Sequence, residues 1–153
     1  MPAGDPVSSV DAAVPLAAWT TYTPVFTTSG GAASIGSGAI TGLYSKVGRV
    51  CRVAGYLIFG AGANGGAGGL FTMSLPFAAA AGGPWVGKAY LRDASATSVG
   101  HFNGLCVCLS GASLVTFKEA STHVEVFNTS PFPWTPGPPA DFIAFQLRYE
   151  TAT

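Results

Sequence analysis

The stretch DFIAFQLRYE, residues 141–150, decides the fold. Ile143, Phe145, Leu147 and Tyr149 alternate with Phe142, Ala144, Gln146 and Arg148, so one side is wholly apolar and the other mixed. That two-residue period is the mark of a pleated, half-buried strand, and its first face belongs to a core. Residues 50–59 read differently. Val53, Leu57 and Phe59 lie on one face, while Val50, Ala54, Tyr56 and Ile58 lie on the other, so both faces call for burial. One face meets the core; the other, through Val50, Tyr56 and Ile58, is expected to meet a neighbouring subunit. Outward from these two stretches the same period recurs, and no segment presents a helical face longer than about three turns. Strands are predicted over residues 20–27, 39–46, 50–59, 69–75, 85–91, 99–109, 113–118, 123–127 and 141–150. Short strands with Gly- and Pro-rich turns predict an all-β, antiparallel β-sandwich or jelly-roll-like domain.

That domain is expected to span residues 19–153, preceded by an extended arm over residues 1–18. Pro2, Pro6 and Pro15 forbid a long helix in the arm, and Val7, Val10, Val14 and Leu16 supply apolar anchors for the shell or subunit it lies on. Two segments read as loops: residues 60–69, with six glycines, as a flexible tip, and residues 130–139, with five prolines, as a stiff surface loop.

Charge narrows the function. Seven basic and seven acidic residues make only 9 % of the 153 residues, where an ordinary soluble domain carries roughly 25 %. A free monomer needs a charged coat to stay dispersed, so much of this surface is expected to be covered by further copies of the chain or by a larger assembly. Cancelling charges give no field for holding nucleic acid or an anionic membrane, and neither is expected as a partner. The N-terminal segment has no basic region and the chain no run of 18 apolar residues, which predicts neither signal peptide nor transmembrane helix. Cys51, Cys106 and Cys108 are odd in number and read as reduced thiols packed in a core.

No catalytic, cofactor-binding or metal residues are predicted. Gly36-Ser37-Gly38 lacks the spacing of a nucleophile elbow, and no glycine run is followed by the Lys–Ser/Thr pair of a phosphate loop. Cys106-x-Cys108 inside an apolar strand, even with Cys51 and His101, does not have the turn spacing of a structural zinc site. His101 and His123 have no serine or cysteine at a triad-like spacing. Asp93, Glu119, Glu125 and Asp141 fall at predicted turns or strand ends and are expected to be solvated. Among the aromatics, Trp85, Tyr90, Phe132 and Trp134 are candidates to stack on a sugar ring, with Phe132 and Trp134 on the proline loop the favoured ligand or surface contacts.

Three segments carry a resemblance: WTTYTPVF (19–26), GAITGLYSKVGRVCRVAGYLIFG (38–60) and GLFTMSLPFAAA (69–80). Their pattern runs Trp19, Tyr22, Pro24, then Gly42, Tyr44, Val47, Gly48, Val50, then Phe59-Gly60, a glycine-rich hairpin and Ser74-Leu75-Pro76; residues 87–93, GKAYLRD, fit as well. It resembles a β-domain of tailed-bacteriophage virion proteins, found in tail appendages and small capsid-surface proteins, particularly of phages of actinobacteria. The resemblance implies a virion protein, assembled in the host cytoplasm, and a homotrimer. A fibre needs a coiled coil or an attachment domain, and the arm has no heptads. The expected role is therefore a capsid decoration (cement) protein bound to the major capsid protein. The alternatives are a minor tail or receptor-binding protein contacting a host cell-wall glycan, and a free carbohydrate-binding module.

Overall fold

A computed structural model describes residues 17–30, 33–64, 69–94, 100–120 and 141–153. The arm anchors Val7, Val10, Val14 and Leu16, the predicted strand over residues 123–127, and Phe132 and Trp134 lie outside them. Among the described residues all regular structure is β: β1 (Thr20–Tyr22), β2 (Phe26–Thr28), β3 (Ala39–Val47), β4 (Val50–Ile58), β5 (Phe71–Ser74), β6 (Trp85–Arg92), β7 (His101–Cys108), β8 (Leu114–Glu119) and β9 (Phe142–Glu150). The predicted first strand divides in two, because Pro24 has no N–H to give a ladder and sits between β1 and β2.

The nine strands form one sheet, in the order β1-β3-β4-β9-β6-β7-β8-β5-β2, and every pairing is antiparallel. Where the sequence predicts a sandwich or jelly roll, the strands pair into a single curled sheet, a half-barrel. The curl is imposed by chain connectivity. β1 and β2 occupy opposite ends of the order but are separated only by residues 23–25. That link is fastened: the Ser74 N–H donates to the Val25 carbonyl at 3.0 Å, and the Val25 N–H donates to Ser74 Oγ at 2.8 Å.

A row of four small residues and two aromatic ones crosses the concave side. Register partners run Tyr22, Gly42, Gly55, Phe145, Ala89 and Gly104 over β1, β3, β4, β9, β6 and β7. Glycine inside a strand weakens it, so its presence marks a close approach. Here the approach is by rings. A Cβ on Gly55 would lie 2.7 Å from Phe145 Cζ, and one on Gly42 would lie 2.6 Å from Tyr22 Cζ. The two rings lie over bare backbone and fill the inside of the curl.

The core is built by the inward faces of β4 (Cys51, Val53, Leu57) and β9 (Ile143, Phe145, Leu147, Tyr149), as their alternation predicts. Phe26, Phe59 and Phe71 meet edge-on or tilted with centroids 5.3–6.1 Å apart, and Phe117 meets Phe145 at 5.6 Å. The Tyr149 hydroxyl, buried with its ring, donates to the Phe77 carbonyl at 3.0 Å.

Two acids depart from expectation. Asp141 is fully buried and Glu119 nearly so, rather than solvated. The Asp141 carboxylate accepts the Ala94 N–H at 2.6 Å, and its carbonyl accepts the Phe59 N–H at 2.9 Å, so it ties the end of β6 and the end of β4 to the start of β9. A strand end can be an interior anchor when it meets backbone donors there.

Candidate interaction face

The convex face of β3, β4, β9, β6 and β7 carries the residues left over from the core, and register sets their neighbours. Ile58, Phe142, Arg92 and His101 form one row; Tyr56, Ala144, Tyr90 and Asn103 form the next. Tyr56 and Tyr90 each keep 39 % of their surface exposed. Phe142 lies between them, with ring centroids 5.7 Å from Tyr56 and 5.5 Å from Tyr90, and the Tyr90 ring stacks on His101 at 5.7 Å. The Tyr90 hydroxyl and His101 Nδ1 are hydrogen-bonded. Four strands thus contribute one continuous aromatic strip to the outside of the sheet.

Val50, Tyr56 and Ile58 all face outward on β4, with Val50 at one end of the strand and Tyr56 and Ile58 at the other. The sequence does not single out Phe142 as part of this strip, because it stands on the mixed face of its strand beside Gln146 and Arg148. Of the sugar-stacking candidates, Tyr90 is in the strip, whereas Trp85 turns inward and packs against the core.

Toward the other end of the same face the chemistry changes. Arg52 on β4 is the register partner of Arg148 on β9, and Lys88 on β6 is the partner of Gln146 on β9. With Trp19 and Ala54 they line a groove of about 400 Å³. Trp19, just before β1, is held over this groove because the Ser45 hydroxyl on β3 donates to the Ala17 carbonyl at 2.7 Å. The residue remains 54 % exposed. A smaller recess of about 290 Å³ adjoins, lined by Val50, Trp85, Arg148, Tyr149 and Glu150.

Cys51, Cys106 and Cys108 are all fully buried free thiols. Burial pushes the Cys106 thiol up to about 12 and the Cys108 thiol up to about 11, and it raises Cys51 as well. They are protonated at neutral pH and poor nucleophiles or metal ligands. Among the described residues no three His, Cys, Asp or Glu side chains gather as a metal-binding group. No helix among them is long and apolar enough to cross a membrane.

Set against protein-family models, curated proteins and solved structures, the chain matches none of them. Its chemistry is that of a face: an aromatic strip at one end, and at the other a cationic groove with no acid among its described lining residues.

Proposed function

We propose that this chain is a structural protein of a bacteriophage virion, a homotrimeric capsid decoration protein that binds the major capsid protein and stabilises the shell. The observation that carries the reading is the aromatic strip. Tyr56, Phe142 and Tyr90 lie side by side on the outside of a sheet whose inside is already a filled core. Contiguous apolar surface of this kind marks an interaction site, and in a chain with 9 % charge a second copy is the fitting occupant. Val50, Tyr56 and Ile58 are the β4 contributions to that seam. The curled sheet would serve as the sandwich- or jelly-roll-like body, and the arm, residues 1–18, would lie on the shell or on neighbouring subunits.

The mechanism is mass action and needs no chemistry. A ligand that binds only the assembled shell stabilises it by about 2.7 kcal/mol per site at a hundred times its dissociation constant. Electron cryomicroscopy of virions carrying the chain tests the reading. Density at threefold or quasi-threefold positions of the capsid is expected, and density confined to the tail would overturn it. That second outcome would turn the same strip toward a host cell-wall glycan, since the half-exposed rings of Tyr56 and Tyr90 also suit the apolar face of a sugar.

A further inference from the structure

We propose that the groove between β4, β9 and β6 is a binding site for an anionic sugar, with the sugar ring against the Trp19 indole and its carboxylate or phosphate between Arg52 and Arg148.

The chain has only seven cationic side chains, and three of them, Arg52, Lys88 and Arg148, line this one groove. Arg52 and Arg148 are direct cross-strand partners. Like charges placed so are unfavourable, and among the described residues neither has an ion pair to offset the repulsion. The nearest outward acid on β9, Glu150, stands opposite Val50 and lines the adjoining recess, which Arg148 shares, while among the described residues no acid lines the groove itself. An oxyanion seated between two guanidinium forks removes the repulsion and gains charge-assisted hydrogen bonds.

Trp19 distinguishes a sugar from a bare anion. Its backbone is held on both sides, by the Ser45 to Ala17 hydrogen bond before it and by β1 pairing after it, and the residue stays more than half exposed at the groove. An open ring on a held stretch of backbone, beside polar donors, is a platform for an apolar face that carries hydroxyls. Gln146 supplies an amide to those hydroxyls, and Lys88 a second positive charge. The volume, about 400 Å³, is in the range of small-ligand sites. The site is separate from the aromatic strip and stands whether the chain sits on a capsid or on a tail.

Calorimetric titration of the full chain with four probes tests this: a tri-galacturonate, glucose 6-phosphate, neutral maltotriose and inorganic phosphate. Saturable binding of the uronate or of the phosphosugar is expected, weakened by salt, with the neutral sugar and inorganic phosphate at least about tenfold weaker. Comparison of the first two probes identifies the anion. Inorganic phosphate binding as tightly as either would overturn the sugar assignment, and no binding by any probe would overturn the site. Trp19→Ala and Lys88→Gln should each weaken the sugar, and Arg52→Ala with Arg148→Ala should abolish binding, whereas Arg92→Ala, outside the groove, should change nothing. Arg148→Gln carries a second signature: without ligand it should melt higher than the parent, because the like-charge pair is gone. A lower melting temperature would show the pair to be already compensated and would overturn the proposal.

Discussion

Replacing Gly55 with alanine tests the account of how the sheet curls. The added Cβ would lie 2.7 Å from Phe145 Cζ, 2.9 Å from Cδ1 and closer still to Cε1. Ordinary contact begins at 3.4 Å, so Cζ alone would have to retreat by about 0.7 Å and Cε1 by more. It has little room. Phe145 is 3 % exposed and meets Phe117 edge-on at 5.6 Å, and close-packed interiors transmit such shifts rather than absorb them. Overpacking of this kind costs about 1–3 kcal/mol. The alanine also restricts the unfolded chain, which returns about 0.4–1 kcal/mol where the backbone is compatible. The net expectation is a loss of about 1–2 kcal/mol, or a fall in Tm of about 2–8 °C for a chain of this size. Urea denaturation of Gly55→Ala, Phe145→Ala and the double variant measures it as a cycle. Phe145→Ala alone should cost about 3–5 kcal/mol. In the double variant the new methyl has no ring to meet, so its loss should be smaller than the sum by about 1–3 kcal/mol. Additivity within about 0.5 kcal/mol, or a Gly55→Ala protein more stable than its parent, would refute the ring-over-glycine account.

Two further outcomes are expected. Because burial raises the pKa of Cys106 from 9.0 to about 12 and of Cys108 to about 11, the folded protein holds protons that the unfolded chain gives up. The stability this contributes is fully present below about pH 9 and is lost as pH rises toward the folded values, so the urea midpoint should hold from pH 7 to about 8.5 and then fall; a midpoint constant to about pH 10.5 would refute it. Tyr56→Asp places a charge at the β4 end of the outward strip without touching the core, so the sheet signal in circular dichroism should persist while light scattering reports loss of the oligomer. An unchanged oligomer would place the seam on another face.

The faces of β4 and β9 were legible in the sequence because alternation within one strand is local information. Val53 and Leu57 against Tyr56 and Ile58, and Ile143 to Tyr149 against their neighbours, need no knowledge of what lies beside them. What depends on a partner strand was not legible. The row from Tyr22 through Gly42, Gly55, Phe145 and Ala89 to Gly104 draws on six strands and exists only in the register. The same is true of Arg52 facing Arg148, separated in sequence by most of the chain. Asp141 read as a solvated strand end because nothing local announces that the Ala94 N–H will reach it. The single sheet escaped prediction for a related reason: one sheet or two is decided by which distant edges pair, and the turn signals are common to both.

The residues on which the proposed kinship with virion β-domains rests have architectural work in this fold. Tyr22 covers Gly42, meets Tyr44 edge-on at 6.1 Å and sends its hydroxyl to the Ser74 carbonyl at 3.4 Å. Pro24 sits in the link between the two ends of the sheet, and Ser74 fastens that link from both its backbone and its side chain. Gly48, at φ +56°, makes the left-handed step in the two-residue connection between β3 and β4. Gly60 donates to the Ile35 carbonyl at 2.9 Å where the chain leaves β4. These positions therefore form or brace the curl, and a chain could keep every one of them while changing what it binds. The freedom to differ lies on the convex face, at Tyr56, Phe142, Tyr90, Trp19, Arg52 and Arg148. Of these Trp19 opens the pattern and Tyr90 lies in the segment 87–93 that also fits it, but only Trp19 lines the groove. It is the point where the architectural motif opens onto the groove, and substitution there should separate binding from folding more cleanly than at any other motif position.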